Sequence, residues 1–242
     1  MTPVSSVGIV VALASEARAL TTNTVHTERI TPLANGAALW LSGMGPTAAR
    51  IAAQGLADKG ITALATFGVA GALEAGLRSG TLFCPERVVD VDDNDYTLNS
   101  AWRIRLLQRL AEARLVVRDT ESLLSVPMPL LTTAAKIAAH DCYAAAAVDM
   151  ESAAVAAVAR ERNLPFMALR AIVDEIGDTI PAALHESVDT WGRPRPLKLI
   201  ATLSGHPSLL TYVPSLHSRM QQATRALRAA GNAAGPTLGW HP

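Results

Sequence analysis

Cysteine is scarce in this chain: Cys84 and Cys142 are its only two thiols, with no C-x-x-C spacing between them. That excludes a disulfide framework, argues against a structural zinc site and points to a reducing compartment. The six histidines add no metal-ligand spacing, and His185, His206 and His217 are dispersed through the C-terminal part, so no metal is expected. Net charge is also absent, with 21 basic and 21 acidic residues. Nucleic-acid binders usually carry a basic face, so the expected partner is a small molecule. The apolar run at 7–14 is too short to span a bilayer and follows no basic segment, which predicts a cytoplasmic chain. Ser15 and Ser42 have no evident His and acid partners, and nothing supports a hydrolase triad.

What is present is apolar. Half of the 242 residues are hydrophobic and 17% are charged, enough to bury a sizeable core as one domain spanning 1–242. Residues 7–13 are rich in β-branched side chains and predict a strand, followed by a helix over 14–20. A strand at 37–41 ends at Ser42-Gly43-Met44-Gly45, and Pro46 occupies the first position of a helix that Gly60 closes. A third strand at 61–67 is expected to break at Gly68-Val69-Ala70-Gly71. An extended stretch at 81–91, a polar loop at 92–95 and a helix over 101–117 follow. Then come a strand at 144–148, an Ala-rich helix over 150–162 and a strand at 166–173. This alternation predicts an α/β fold. The C-terminal part from 181 onward reads as a basic helical extension, with six basic residues against two acidic.

Three groups of residues carry candidate chemistry. Asp174 falls at a strand's carboxyl end, where open α/β sheets bind ligands, and partial burial would let it hold a proton for a departing base. Glu175 competes for that role, and Asp174 or Asp178 also suits a turn cap. Glu151, near a helix start, suits the hydroxyls of a sugar, with Met150 as an adaptable apolar contact; the helix dipole alone also favours a carboxylate there. Glu16 follows the first strand and is placed to activate water, or simply to sit in a first turn beside Arg18. Gly43 to Ala48 fits G-x-G-x-x-A, which opens a dinucleotide-binding reading, but the next strand ends in Phe67-Gly68 where that fingerprint expects an acid.

In order and spacing, these segments resemble the nucleoside phosphorylase and nucleosidase family over 7–178, particularly its methylthioadenosine/S-adenosylhomocysteine nucleosidase branch. Val7 to Glu16 is similar to the family's opening strand and water-activating Glu, Ser42-Gly43-Met44-Gly45 to its S-G-x-G turn, and Gly68-Val69-Ala70-Gly71 to its G-S-A-G loop. Val148-Asp149-Met150-Glu151 resembles V-E-M-E, and Arg170-Ala171-Ile172-Val173-Asp174 resembles R-A-I-S-D. The resemblance implies a three-layer α/β/α sandwich with a central mixed sheet, assembled as a homodimer or larger homo-oligomer. It also implies cleavage of the N-glycosidic bond of an adenine nucleoside. Asp174 then acts at purine N7, Met150 and Glu151 hold ribose, Glu16 orients the nucleophile, and Val69, Ala70, Gly71 and Val173 line the substrate.

No cofactor is implied. Phosphate stands as an alternative co-substrate to water, with Arg18 and Arg170 as the available anion partners. Val69 and Val173 stand where the family pattern has serines, which removes two hydroxyls from the expected pocket. The segment 174–181 and Gly192-Arg193-Pro194-Arg195-Pro196 resemble the hopanoid-associated phosphorylase subfamily, which implies adenosylhopane, a lipid-linked nucleoside, as substrate and peripheral contact of the basic tail with a membrane. Equally, the tail reads as a packing or subunit-contact element. The alternatives are a methylthioadenosine/S-adenosylhomocysteine nucleosidase and, from another class, a nucleotide-binding oxidoreductase or non-catalytic adenine-binding module.

Overall fold

The computed structural model describes residues 6–241. Its strands are β1 (Val7–Val11), β2 (Ile30–Pro32), β3 (Ala38–Leu41), β4 (Ala63–Ala72), β5 (Leu82–Phe83), β6 (Arg87–Asp90), β7 (Asp95–Thr97), β8 (Val117–Arg118), β9 (Ser122–Ser125), β10 (Ala145–Asp149) and β11 (Phe166–Asp174). Between and after them run α1 (Ala14–Leu20), α2 (Pro46–Asp58), α3 (Ser100–Glu112), α4 (Thr133–Tyr143), α5 (Ser152–Glu161), α6 (Ala182–His185), α7 (Pro196–Gly205) and α8 (Val213–Ala234).

All eleven strands join one mixed sheet. Its spine is β4, which pairs in parallel with β1 and β11 and, at its far end, antiparallel with β10. Side chains alternate across a strand, so Thr66 faces Ser152 of α5 on one side while Phe67 lies under Gly231 of α8 on the other. Helices α2 and α5 pack together over the first face, and α1 and α3 pack on α8 over the second. One continuous core includes Ile9, Leu39, Leu64, Phe67, Trp102 and Leu227. Each such fully buried aliphatic or Phe side chain contributes about 1.5–3 kcal/mol.

Several boundaries differ from the sequence expectation. The expected break at Gly68 to Gly71 is absent: β4 runs straight through it, pairing Gly68 with Arg170 and Gly71 with Asp174. Strand β1 ends two residues early, because the N–H groups of Ala12 and Leu13 turn to the Glu16 carboxylate. The helix expected from 150 starts at Ser152. The extended stretch at 81–91 is two strands separated at Pro85, which lacks a ladder donor. The helix expected to reach 117 stops at Glu112, where Arg114 takes a left-handed conformation, and 117–118 pair with β5. The expected loop at 92–95 already enters β7 at Asp95.

The C-terminal segment has two characters. Helix α7 buries no residue, and Leu197 and Ile200 on it are 84% and 62% exposed. Helix α8, in contrast, buries Ala223, Leu227, Ala230 and Ala234 against α1, α3 and β11, so this half of the expected extension is part of the core.

Candidate active site

Gly71 sits in register between Val148 of β10 and Asp174 of β11. Two strand spacings of about 4.8 Å therefore separate the backbone leading to Glu151 from the one carrying Asp174, roughly 10 Å in all and enough to admit a nucleoside. The register shifts between Ile172 and Asp174, and the Asp174 carboxylate lies across Gly71 so closely that a Cβ there would stand 3.1 Å from Oδ2. One cavity is lined by Glu16, Val69, Ala70, Gly71, Met150, Glu151, Val173 and Asp174. The sequence had separated these residues by most of its length.

Glu16 closes one side. Its Oε2 accepts from the N–H groups of Ala12 and Leu13, both at 2.9 Å, and its Oε1 accepts from Val69 N–H at 2.8 Å. Three bonds use three of roughly four carboxylate acceptor positions. Burial pushes the Glu16 carboxyl above its ordinary range, and Arg170 with these N–H groups opposes the rise. Gly68 makes the approach feasible, because a Cβ there would collide with Glu16 and lie 2.6 Å from Arg170 Nη1.

Arg18 does not join the site. Residues two apart on a helix point almost oppositely, and Arg18 is exposed beside a separate groove lined also by Arg193 and Arg228. Arg170 does not line the cavity either. It is 1% exposed and forms an ion pair with Asp149 at 2.5 Å, while its Nη2 donates to Ser152 Oγ at 2.8 Å. Both expected anion partners are thus placed elsewhere.

Asp149 also accepts the N–H groups of Glu151 and Ser152, and Ser125 Oγ accepts that of Ala153, which satisfies three of the four free donors at the start of α5. Relieved of that task, Glu151 turns its Oε1 to Gly45 N–H at 2.8 Å, at the start of α2. The G-x-G turn therefore spends a backbone donor on the protein's own carboxylate. Burial, with a further push from Asp149, raises the Glu151 carboxyl to about 7, against Arg170 and the Gly45 N–H.

Asp174 closes the opposite side with a partner that the sequence reading missed. Lys136 of α4 is fully buried and forms a close ion pair with Asp174 Oδ2. Its Nζ also donates to the carbonyls of Glu175 at 2.7 Å and Asp178 at 3.1 Å. Burial raises the Asp174 carboxyl and Lys136 opposes it, with smaller contributions from Asp178 (raising) and Arg219 (lowering). Glu175, the competing acid, faces outward to Arg78, and Asp178 accepts Glu175 N–H and pairs with Arg219 of α8 at 2.6 Å. The available signal was a lone lysine in the apolar-rich Thr133-Ala134-Ala135-Lys136-Ile137. Met44, Leu130, Leu131, Ile180, His185 and Met220 also line the cavity, mostly apolar and partly from the C-terminal segment. Among the described residues no group of His, Cys, Asp and Glu is arranged to hold a metal.

A raised carboxyl binds more protons in the folded state than in the unfolded one. Its contribution to stability is therefore fully present below the unfolded value, near 4.5, and is lost as pH rises to about 7. For Glu151 alone the loss amounts to about 3 kcal/mol. Urea unfolding at about pH 5 and about pH 7.5 checks it: Glu151→Gln, which does not titrate, gains stability relative to the unsubstituted protein at the higher pH.

A family model described as the phosphorylase superfamily matches residues 6–203. No curated protein matches the chain significantly. Among solved structures, the 5′-methylthioadenosine/S-adenosylhomocysteine nucleosidase of Neisseria meningitidis in complex with methylthio-immucillin-A superposes with a TM-score of 0.70 at 17% identity, covering 95% of this chain and 97% of that one. The Helicobacter pylori enzyme of the same name gives 0.69 at 15% identity, with 96% and 99% covered. Futalosine hydrolase of Helicobacter pylori gives 0.67 at 16% identity, with 95% and 98% covered. At these identities the likeness is one of fold, a mixed central sheet flanked by helices.

Proposed function

The chain belongs to the phosphorylase superfamily, and from that membership we propose that it is an enzyme cleaving the N-glycosidic bond of an adenine nucleoside, with water as nucleophile. The observation that carries this reading is one cavity holding Glu16, Glu151 and Asp174 in three different environments. Bond cleavage puts positive charge on the sugar and negative charge on the base, so it needs an acid at one end and a base at the other. Asp174, buried and raised, supplies the proton to the base. Glu151 and Met150 hold the ribose between the strands, and Glu16 receives a proton from the attacking water.

Water is favoured over phosphate by charge. Four carboxylates line the cavity (Glu16, Asp149, Glu151 and Asp174), while the two buried cations beside it, Arg170 and Lys136, are each paired to one of them. Among the described residues, a dianion entering there finds no buried cation that is not already paired to an acidic side chain. The reading requires no cofactor. Measuring adenine release with and without phosphate, and identifying the sugar product, tests it: adenine and free ribose without phosphate are expected, whereas strict phosphate dependence with ribose phosphate as product overturns the choice of nucleophile.

For the 5′ substituent we favour a long apolar chain, as in adenosylhopane, because Met44, Leu130, Leu131, Ile180 and Met220 form an apolar wall. The exposed Leu197 and Ile200 on α7, beside Arg193, Arg195 and Lys198, suit peripheral contact with an anionic membrane from the cytoplasmic side. The same wall also accepts the small thioether of methylthioadenosine, which keeps that nucleosidase activity as the second reading. Relative kcat/KM for methylthioadenosine and a long 5′-alkyl adenosine separates them. Assembly as a homodimer or larger homo-oligomer belongs to the same proposal, and light scattering in solution measures it.

A further inference from the structure

We propose that Lys136 is the positioning residue for leaving-group protonation: its ammonium, sealed behind Asp174, stabilises the carboxylate that remains when Asp174 gives its proton to the base. The inference rests on the N-glycosidic reading above. Its observation is separate, a lysine with no exposed surface whose side-chain nitrogen donates to the carbonyls of Glu175 and Asp178 and forms an ion pair with Asp174 Oδ2. The two carbonyls and the Asp174 carboxyl together face the Lys136 side-chain nitrogen with oxygen on three sides, a cradle suited to an ammonium. The cradle is itself anchored, since Asp178 accepts Glu175 N–H and is paired to Arg219 of α8.

During the step the C1′–N9 bond breaks with its electron pair going to the purine, and the Asp174 proton moves to N7. Water adds its oxygen to C1′ and gives its proton to Glu16. A positive acid-ammonium pair thus becomes a neutral carboxylate-ammonium pair inside the protein, a change that burial favours. Proton exchange with solvent then returns Glu16 and Asp174 to their starting states.

The charged and titratable groups around Asp174 are Lys136 from α4, Asp178 and Glu175 from the following loop, Arg219 from α8 and His185 from α6. Of these, Lys136 alone forms an ion pair with the Asp174 carboxylate. The test compares Lys136→Gln, which keeps a donor without charge, with Lys136→Arg, which keeps the charge. It uses two substrates: adenosine, whose base must be protonated, and p-nitrophenyl riboside, whose leaving group needs no proton.

With Lys136→Gln, kcat for adenine release is expected to fall about 10²-fold while KM changes little, and the alkaline limb of the pH–rate profile moves to higher pH. Lys136→Arg keeps the limb near its original place, and p-nitrophenyl riboside is cleaved by all three proteins at similar rates. Equal loss on both substrates, or an alkaline limb that stays put in Lys136→Gln, overturns the inference and leaves the glycosidic reading standing. If Lys136→Gln fails to fold, a Lys136→Arg protein that folds but loses the alkaline limb overturns it as well. Absence of adenine release from the unsubstituted protein overturns both.

Discussion

Asp174→Asn lowers kcat for adenine release by about 10³-fold, within the range that positioned general acids supply. An amide matches the carboxyl in shape and still bonds Lys136 through its oxygen, but it cannot give a proton to the base. KM stays close to its original value, because the apolar wall and Glu151, the groups proposed to hold the substrate, are unchanged. Steady-state assays of adenine release, with a melting curve to verify folding, decide the outcome: near-normal turnover means that another group protonates the base. Glu175 is a poor substitute, since it points away to Arg78.

Arg170→Met destabilises the protein by about 3–5 kcal/mol, the range for removing one partner of a buried pair. Arg170 is paired with Asp149 and faces Glu16, both buried. A methionine fills the volume and leaves those carboxylates without compensation. At about 2–4 °C per kcal/mol for a chain of this size, the melting temperature drops by about 10 °C. A double-mutant cycle with Asp149→Leu measures the coupling, and the second change restores part of the loss because it removes one stranded charge. A drop under about 1 kcal/mol for Arg170→Met would mean that solvent reaches the pair.

Much of the site was legible because its residues stand at the ends of strongly apolar strands. Asp174 follows 166–173 and Glu151 follows the run to Val148, so placing the strands placed the side chains. Gly68 to Gly71 misled, since glycine pairs read as turns until their neighbours are known. Here the missing Cβ atoms admit Glu16, Arg170 and Asp174 to the strand. Arg170 was misjudged for a related reason: its sequence position gives no hint that Asp149 lies within ionic reach across the sheet. Lys136 was invisible because its partner is 38 residues away on another element. Long-range ion pairs leave no periodic signal, whereas the 22-residue α8 announced itself by composition but not by the face it buries.

Both cations of the site are sealed against carboxylates, and this governs how a substrate arrives. With the buried charge matched within a few ångströms, little electrostatic field escapes from the mouth to steer an uncharged nucleoside. Capture then depends on shedding water from Met44, Leu130, Ile180 and Met220, which counterions do not screen. Between 0.1 M and 1 M salt the Debye length contracts from about 10 Å to about 3 Å, yet the rate of productive encounter holds nearly level. Any salt sensitivity the protein does show arises at the exposed basic residues Arg193, Arg195 and Lys198 of its tail.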